Sequence, residues 1–121
     1  MDKRMVKEMK KLIKHNRRMY AAEMDHAEKT GLRHYPNKTY FKELRKQKKI
    51  LESMARTDLR TLLHKLYAIT DELTRPRQLK PSFIDRASKD EAIEMLVTTR
   101  YLHEFLGEIL EAEQAGGPDT L

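Results

Sequence analysis

Glu23 and His26, three residues apart, are the most suggestive chemical pair in this chain of 121 residues. On a helix that spacing places a carboxylate and an imidazole on one face, as in the carboxylate-bridged metal sites of helical bundles. Such sites need the pair twice, with further carboxylates from two other helices, and no second Glu-x-x-His occurs. The pair therefore reads as an ordinary helix surface. His15, His26, His34, His64 and His103 include no two at the i, i+4 spacing of a zinc-binding helix. His64, between Leu63 and Leu66, fits a hydrogen-bonded packing residue. Cysteine is absent, which removes thiolate ligands, a thiol nucleophile and a disulfide framework. With only four glycines there is neither a phosphate-cradling loop nor a G-x-S-x-G elbow. These residues predict a protein that is not an enzyme and holds no metal or cofactor.

The basic residues are arranged differently. Lys3, Lys7, Lys10, Lys14 and Arg17 recur at steps of four and three, with Arg4, Lys11 and Arg18 beside them and only Glu8 interrupting. Lys38, Lys42, Arg45, Lys49, Arg56 and Arg60 repeat the pattern, flanked by Lys46 and Lys48. Solvated helix faces usually interleave Glu with Lys, because opposite charges three or four apart support the helix. Two faces that accept self-repulsion instead suit a polyanion such as a phosphate backbone. The expected contacts are Lys7, Lys10, Lys11, Lys14, Arg17, Arg18, Lys42, Arg45, Lys46 and Lys49. The expected role is accessory or regulatory, of the kind carried by phages and mobile elements. The alternative is an adaptor or inhibitor that docks this face on an acidic surface of a larger protein. No short glycine turn between two helices, no zinc ligand set and no clean leucine heptad after a basic region matches a known helical DNA reader. The five Tyr and three Phe fall mostly at core-like spacings, so the contacts expected are to phosphates rather than stacked bases.

Bulk composition agrees with a single folded domain, since 39% of residues are hydrophobic and 36% charged. Residues 1 to 60 carry 18 Lys+Arg against 8 Asp+Glu, and residues 61 to 121 carry 7 against 11, so halves of +10 and −4 make up the net +6. That polarity invites a polyanionic partner or head-to-tail self-association. Charges every two or three residues from Met1 to Arg18 leave no apolar run for a signal segment or membrane span. A cytoplasmic protein with no membrane partner is expected, and the sequon at Asn37-Lys38-Thr39 carries no weight.

Glycine and proline divide the chain into three helical segments, which must position these stripes. The first runs from an Asp2 cap to Lys29, with Gly31 where a left-handed residue is wanted. Gly31 to Asn37 reads as a tight connection ending in a cap at Asn37 or Thr39. From there to Thr74 no glycine or proline occurs, and the apolar residues from Tyr40 to Leu73 keep one helical phase. This predicts a continuous or merely kinked helix of ~55 Å, with a break near Thr57 as the alternative. Arg75 to Pro81 reads as an extended connector, and Ser82 to Asp85 as the start of a turn. Ser88-Lys89-Asp90-Glu91 has the form of a capping box opening the last helix, which runs to about Glu113. The expected architecture is all-α, an antiparallel bundle of three long helices, or four with the break. It spans residues 1–114 as one domain, with a disordered tail at 115–121. The last helix carries an apolar stripe wider than one contact needs. Together with the overhang of the long middle helix, it predicts a homodimer through Ile93, Leu96, Leu102, Phe105 and Ile109.

Overall fold

The computed structural model describes residues 1–31, 37–70 and 81–115 of the chain. Within them the protein is all-helical, with six helices rather than three long ones: α1 (Lys3–Thr30), α2 (Lys38–Glu52), α3 (Arg56–Thr70), α4 (Pro81–Arg86), α5 (Lys89–Val97) and α6 (Leu102–Ala115). The expected extended segment before Pro81 and the tail beyond Ala115 lie outside the described residues.

The ends of α1 follow the sequence reading. Asp2 accepts the Met5 N–H at 2.8 Å, and Gly31 takes φ 74° while its N–H reaches the Ala27 carbonyl at 2.8 Å. Met5, Met9, Leu12, Asn16 and Met19 form its buried stripe. Asn37 opens α2 by accepting the Tyr40 N–H at 2.9 Å. Its Nδ2 donates to the Ala22 carbonyl, also at 2.9 Å, which ties the start of α2 to α1. The two helices run antiparallel, and α6 packs antiparallel on another side of α1.

The continuous middle helix does not form, and Thr57 is not a cap. The break falls at Ser53 to Ala55, and Thr57 lies in the first turn of α3, where its carbonyl accepts the Thr61 hydroxyl. The freed α2 carbonyls are taken up locally and at long range. Ser53 Oγ donates to Ile50 O at 2.6 Å, and Lys89 Nζ donates to Glu52 O at 2.6 Å. In return, Arg56 Nε and Nη2 and Arg60 Nη2 converge on the Ala87 carbonyl between α4 and α5, at 3.0, 2.8 and 3.2 Å. Bending is favoured by burial, since Leu51, Met54, Leu59, Leu62 and Leu63 all enter the core. Each buried Leu or Met contributes about 1.5–3 kcal/mol. The few helical hydrogen bonds given up are each worth about 1 kcal/mol net and are partly replaced.

The last helix is divided as well. Ser88 and Glu91 make the expected capping box, but α5 ends at Thr98, whose Oγ1 takes the Glu94 carbonyl at 2.7 Å, while Thr99 Oγ1 takes that of Met95. Tyr101 then adopts φ 54°, the left-handed region that costs a side-chain-bearing residue roughly 1–2 kcal/mol. Its ring stacks on Tyr20 of α1 with centroids 4.7 Å apart, and the Arg100 guanidinium lies 5.0 Å from its centroid. The turn re-aims the apolar stripe. Its α5 part packs on α2 and α3, and its α6 part packs on α1 and α3. Ile93, Leu96, Leu102 and Ile109 are thus buried in the chain's own core, with Phe105 half-buried against it. They are not a free surface for a second copy, which corrects the dimer interface expected from the sequence. The stripe is wide because it serves three neighbouring helices. No helix among the described residues is long and apolar enough to cross a membrane.

Candidate nucleic-acid interface

The core stripe of α1 fixes where its cations point. At ~100° per residue, Lys7 and Lys14 stand opposite that stripe. Lys11 and Arg18 turn toward α2, and Lys10 and Arg17 turn toward the flank where α6 packs. Arg17 lies close enough to His103 at the start of α6 to act on its charge. On α2 the inward positions are Glu43, Gln47 and Leu51. Lys42, Arg45 and Lys49 therefore point away from the core, and Lys46 turns toward α1. The α1–α2 hairpin thus brings Lys7, Lys11, Lys14 and Arg18 onto one face with Lys42, Arg45, Lys46 and Lys49. Lys10 and Arg17 belong to the flank.

Most of these cations are exposed and uncompensated. Among the described residues Lys7, Lys10, Lys14, Arg17, Arg18, Lys42, Arg45 and Lys49 make no ion pair, whereas Lys11 meets Glu8 at 3.3 Å and Lys46 meets Glu43 at 3.7 Å. Between Lys3 and Ala22 the only acid is Glu8. Arg56 and Arg60, which the sequence pattern adds to the second stripe, do not continue it. The helix break turns them onto Ala87, where they hold the fold. Phe41, placed with the core by its spacing, is 44% exposed beside Lys42 and Arg45.

Beneath the cationic face runs a polar seam absent from the sequence reading of binding residues. Asn16, fully buried, donates to Gln47 Oε1 at 2.9 Å, and its Oδ1 accepts the His103 backbone N–H at 3.0 Å and His103 Nδ1 at 2.6 Å. The acceptor at Asn16 places the ring proton of His103 on Nδ1. Burial, more than the nearby Arg17 and against Glu104, holds the His103 ring below the ordinary histidine range. One turn away, Glu43 is 5% exposed and meets His15 Nδ1 at 2.6 Å. Burial pushes the Glu43 carboxyl up. The hydrogen bond and charge of His15, with Lys46 and Arg18, outweigh it and carry the carboxyl below its usual range. A signal for this seam existed, since Asn16 lies in phase with Leu12 and Met19, and Glu43 and Gln47 lie in phase with Tyr40 and Leu51.

Glu23 and His26 do not form a centre. Glu23 lies near Tyr20, Tyr40 and Arg100, whereas His26 lines a recess with Arg18, Asp25, Lys29 and Asn37. Among the described residues no group of three or more His, Cys, Asp or Glu side chains could hold a metal ion. Comparison with family models, with curated proteins and with solved structures returned no match.

Proposed function

We propose that this is a non-catalytic accessory protein of the cytoplasm that binds nucleic acid through its phosphate backbone, using the outer face of the α1–α2 hairpin. One observation carries the reading: on this face Lys7, Lys14, Arg18, Lys42, Arg45 and Lys49 are exposed and make no ion pair among the described residues, and only Lys11 and Lys46 meet an acid. Lys7 to Arg18 rise through ~16 Å at 1.5 Å per residue, the length of roughly five base pairs of duplex. Cations held at fixed spacing on a rigid hairpin neutralise phosphates without reading bases, so affinity depends on salt and little on sequence.

Titration of labelled duplex and single-stranded oligonucleotides against the protein at rising salt tests this. For about five phosphate contacts the log–log slope is near −4.5 on duplex and near −3.5 on single strands. Failure to retard any DNA or RNA at about 50 mM salt, conditions that favour phosphate contacts, would refute the proposal and leave an acidic protein surface as the partner to seek.

A further inference from the structure

The groove between α1 and α2 has a floor chemically different from its walls. Lys11, Lys46 and Lys49 stand around its mouth, with Glu8, Ile50 and Ser53 completing the lining. His15 lies at the floor, its side chain 16% exposed. Its Nδ1 is occupied by Glu43 at 2.6 Å, and turning the ring would leave that buried carboxylate with only Lys46 at 3.7 Å. Its Nε2 has no partner among the described residues and is not sealed from solvent. A ring so held presents one nitrogen to an occupant of the groove.

We infer that the mouth of this groove seats one phosphate group of the nucleic-acid backbone, with protonated His15 donating its Nε2–H to the phosphate that Lys11, Lys46 and Lys49 neutralise. The inference rests on the nucleic-acid reading above and adds the site and the protonation state. The groups facing the seat are Glu8, Lys11 and Arg18 from α1 and Glu43, Lys46 and Lys49 from α2. Glu43 is a positioning residue. Its ionised carboxylate keeps the proton on Nδ1, as carboxylates do for histidines that must present their other nitrogen. Without the imidazolium, that same buried carboxylate would repel a phosphate. Binding the phosphate therefore takes up a proton at His15, because anion and proton stabilise one another at the shared ring.

Fluorescence anisotropy with a short labelled oligonucleotide, at low salt and at about pH 5.5 and pH 8, reads this directly. Histidine changes charge within that window, whereas carboxylates and ammonium groups titrate outside it. Wild type binds more tightly at the lower pH, by about tenfold or more, as one added charged hydrogen bond implies. His15→Gln loses that gain and binds alike at both values. His15→Lys, which keeps a cation at every pH, binds tightly at both. Circular dichroism confirms that each variant is folded. Wild-type affinity and pH dependence in His15→Gln would overturn the seat while leaving the nucleic-acid reading intact. If no nucleic acid binds, that reading falls and inorganic pyrophosphate tests the seat alone, with the His15 ring proton resonances as the readout. An unmoved ring would then overturn it too.

Discussion

Replacing Asn16 by leucine should cost about 2 kcal/mol of stability, a value worked from the groups it strands. Asn16 is fully buried and satisfies three partners: Gln47 Oε1 and, on His103, both the backbone N–H and Nδ1. The His103 ring is half-buried and can turn Nδ1 toward water. Gln47 is fully buried and cannot turn its amide to water, and the His103 N–H is fixed in the turn. Two orphaned groups at about 1–3 kcal/mol each, less about 1.5–3 kcal/mol recovered by burying the leucine, leave a net loss of about 2 kcal/mol at the middle of both ranges. For a domain of this size that lowers the thermal midpoint by roughly 8 °C. Thermal and urea unfolding followed by circular dichroism measure it, with an unchanged urea slope showing that the transition remains comparable. Adding Gln47→Leu should cost less than the two single changes summed, because the second substitution removes a group the first has already stranded. If Asn16→Leu stays within about 1 kcal/mol of wild type, the seam is not holding α1, α2 and α6 together as described.

Two further outcomes follow from the charged groups. Reversing Lys7, Lys14 and Lys49 to Glu should weaken oligonucleotide binding more than reversing Lys10 and Arg17 on the flank, whereas Glu108→Lys with Glu111→Lys should not weaken it. Equal losses from face and flank in the same anisotropy titration would show that the hairpin face is misassigned. Stability should also fall in two stages on acidification, read as the thermal midpoint from pH 8 to pH 3. His103 sits below the ordinary range in the fold, so its stage begins as pH drops through ~6.5 and should be absent in His103→Gln. Glu43 is also depressed in the fold, so its contribution is present above the unfolded carboxylate range near ~4.3. It is lost as pH falls through the folded value, and Glu43→Gln should shrink that later stage without abolishing it, because Glu91 and Glu113 are depressed in the fold as well.

The helical class, the caps at Asp2, Asn37 and Ser88 and the end at Gly31 were legible because each depends on contacts within a few residues. The two internal breaks were not. Ser53 to Ala55 contains no Gly, Pro or Asn, and what stabilises the bend is Lys89, Arg56 and Arg60 reaching across the fold. Thr98-Thr99 carried a faint signal, since threonine hydroxyls take carbonyls one turn back, but the left-handed Tyr101 depends on Tyr20. The cationic face was legible as a pattern of charges. Its extent was not, because the same spacing rule swept in Arg56 and Arg60. His15 and Glu43 went unread because their pairing spans two helices, with the histidine inside a lysine run and the carboxylate on an otherwise inward face.

The reciprocal clamp between Glu52 and Lys89, and between Ala87 and Arg56, makes the elbow after α2 conditional on chain that is synthesised later. Before residues 81–97 arrive, nothing within the segment 38–70 holds the Glu52 carbonyl or gives the Arg56 guanidinium a carbonyl to bind. The local preference of that segment, free of helix breakers, is the straight rod its spacing describes. On that preference, the nascent chain is expected to hold a longer and straighter helix beside α1 until the C-terminal third bends it into the core. That third acts as a template as well as a lid. A fragment ending at residue 70 should be a different object from the same residues in the whole protein: straighter, with an exposed apolar side, and prone to associate through it.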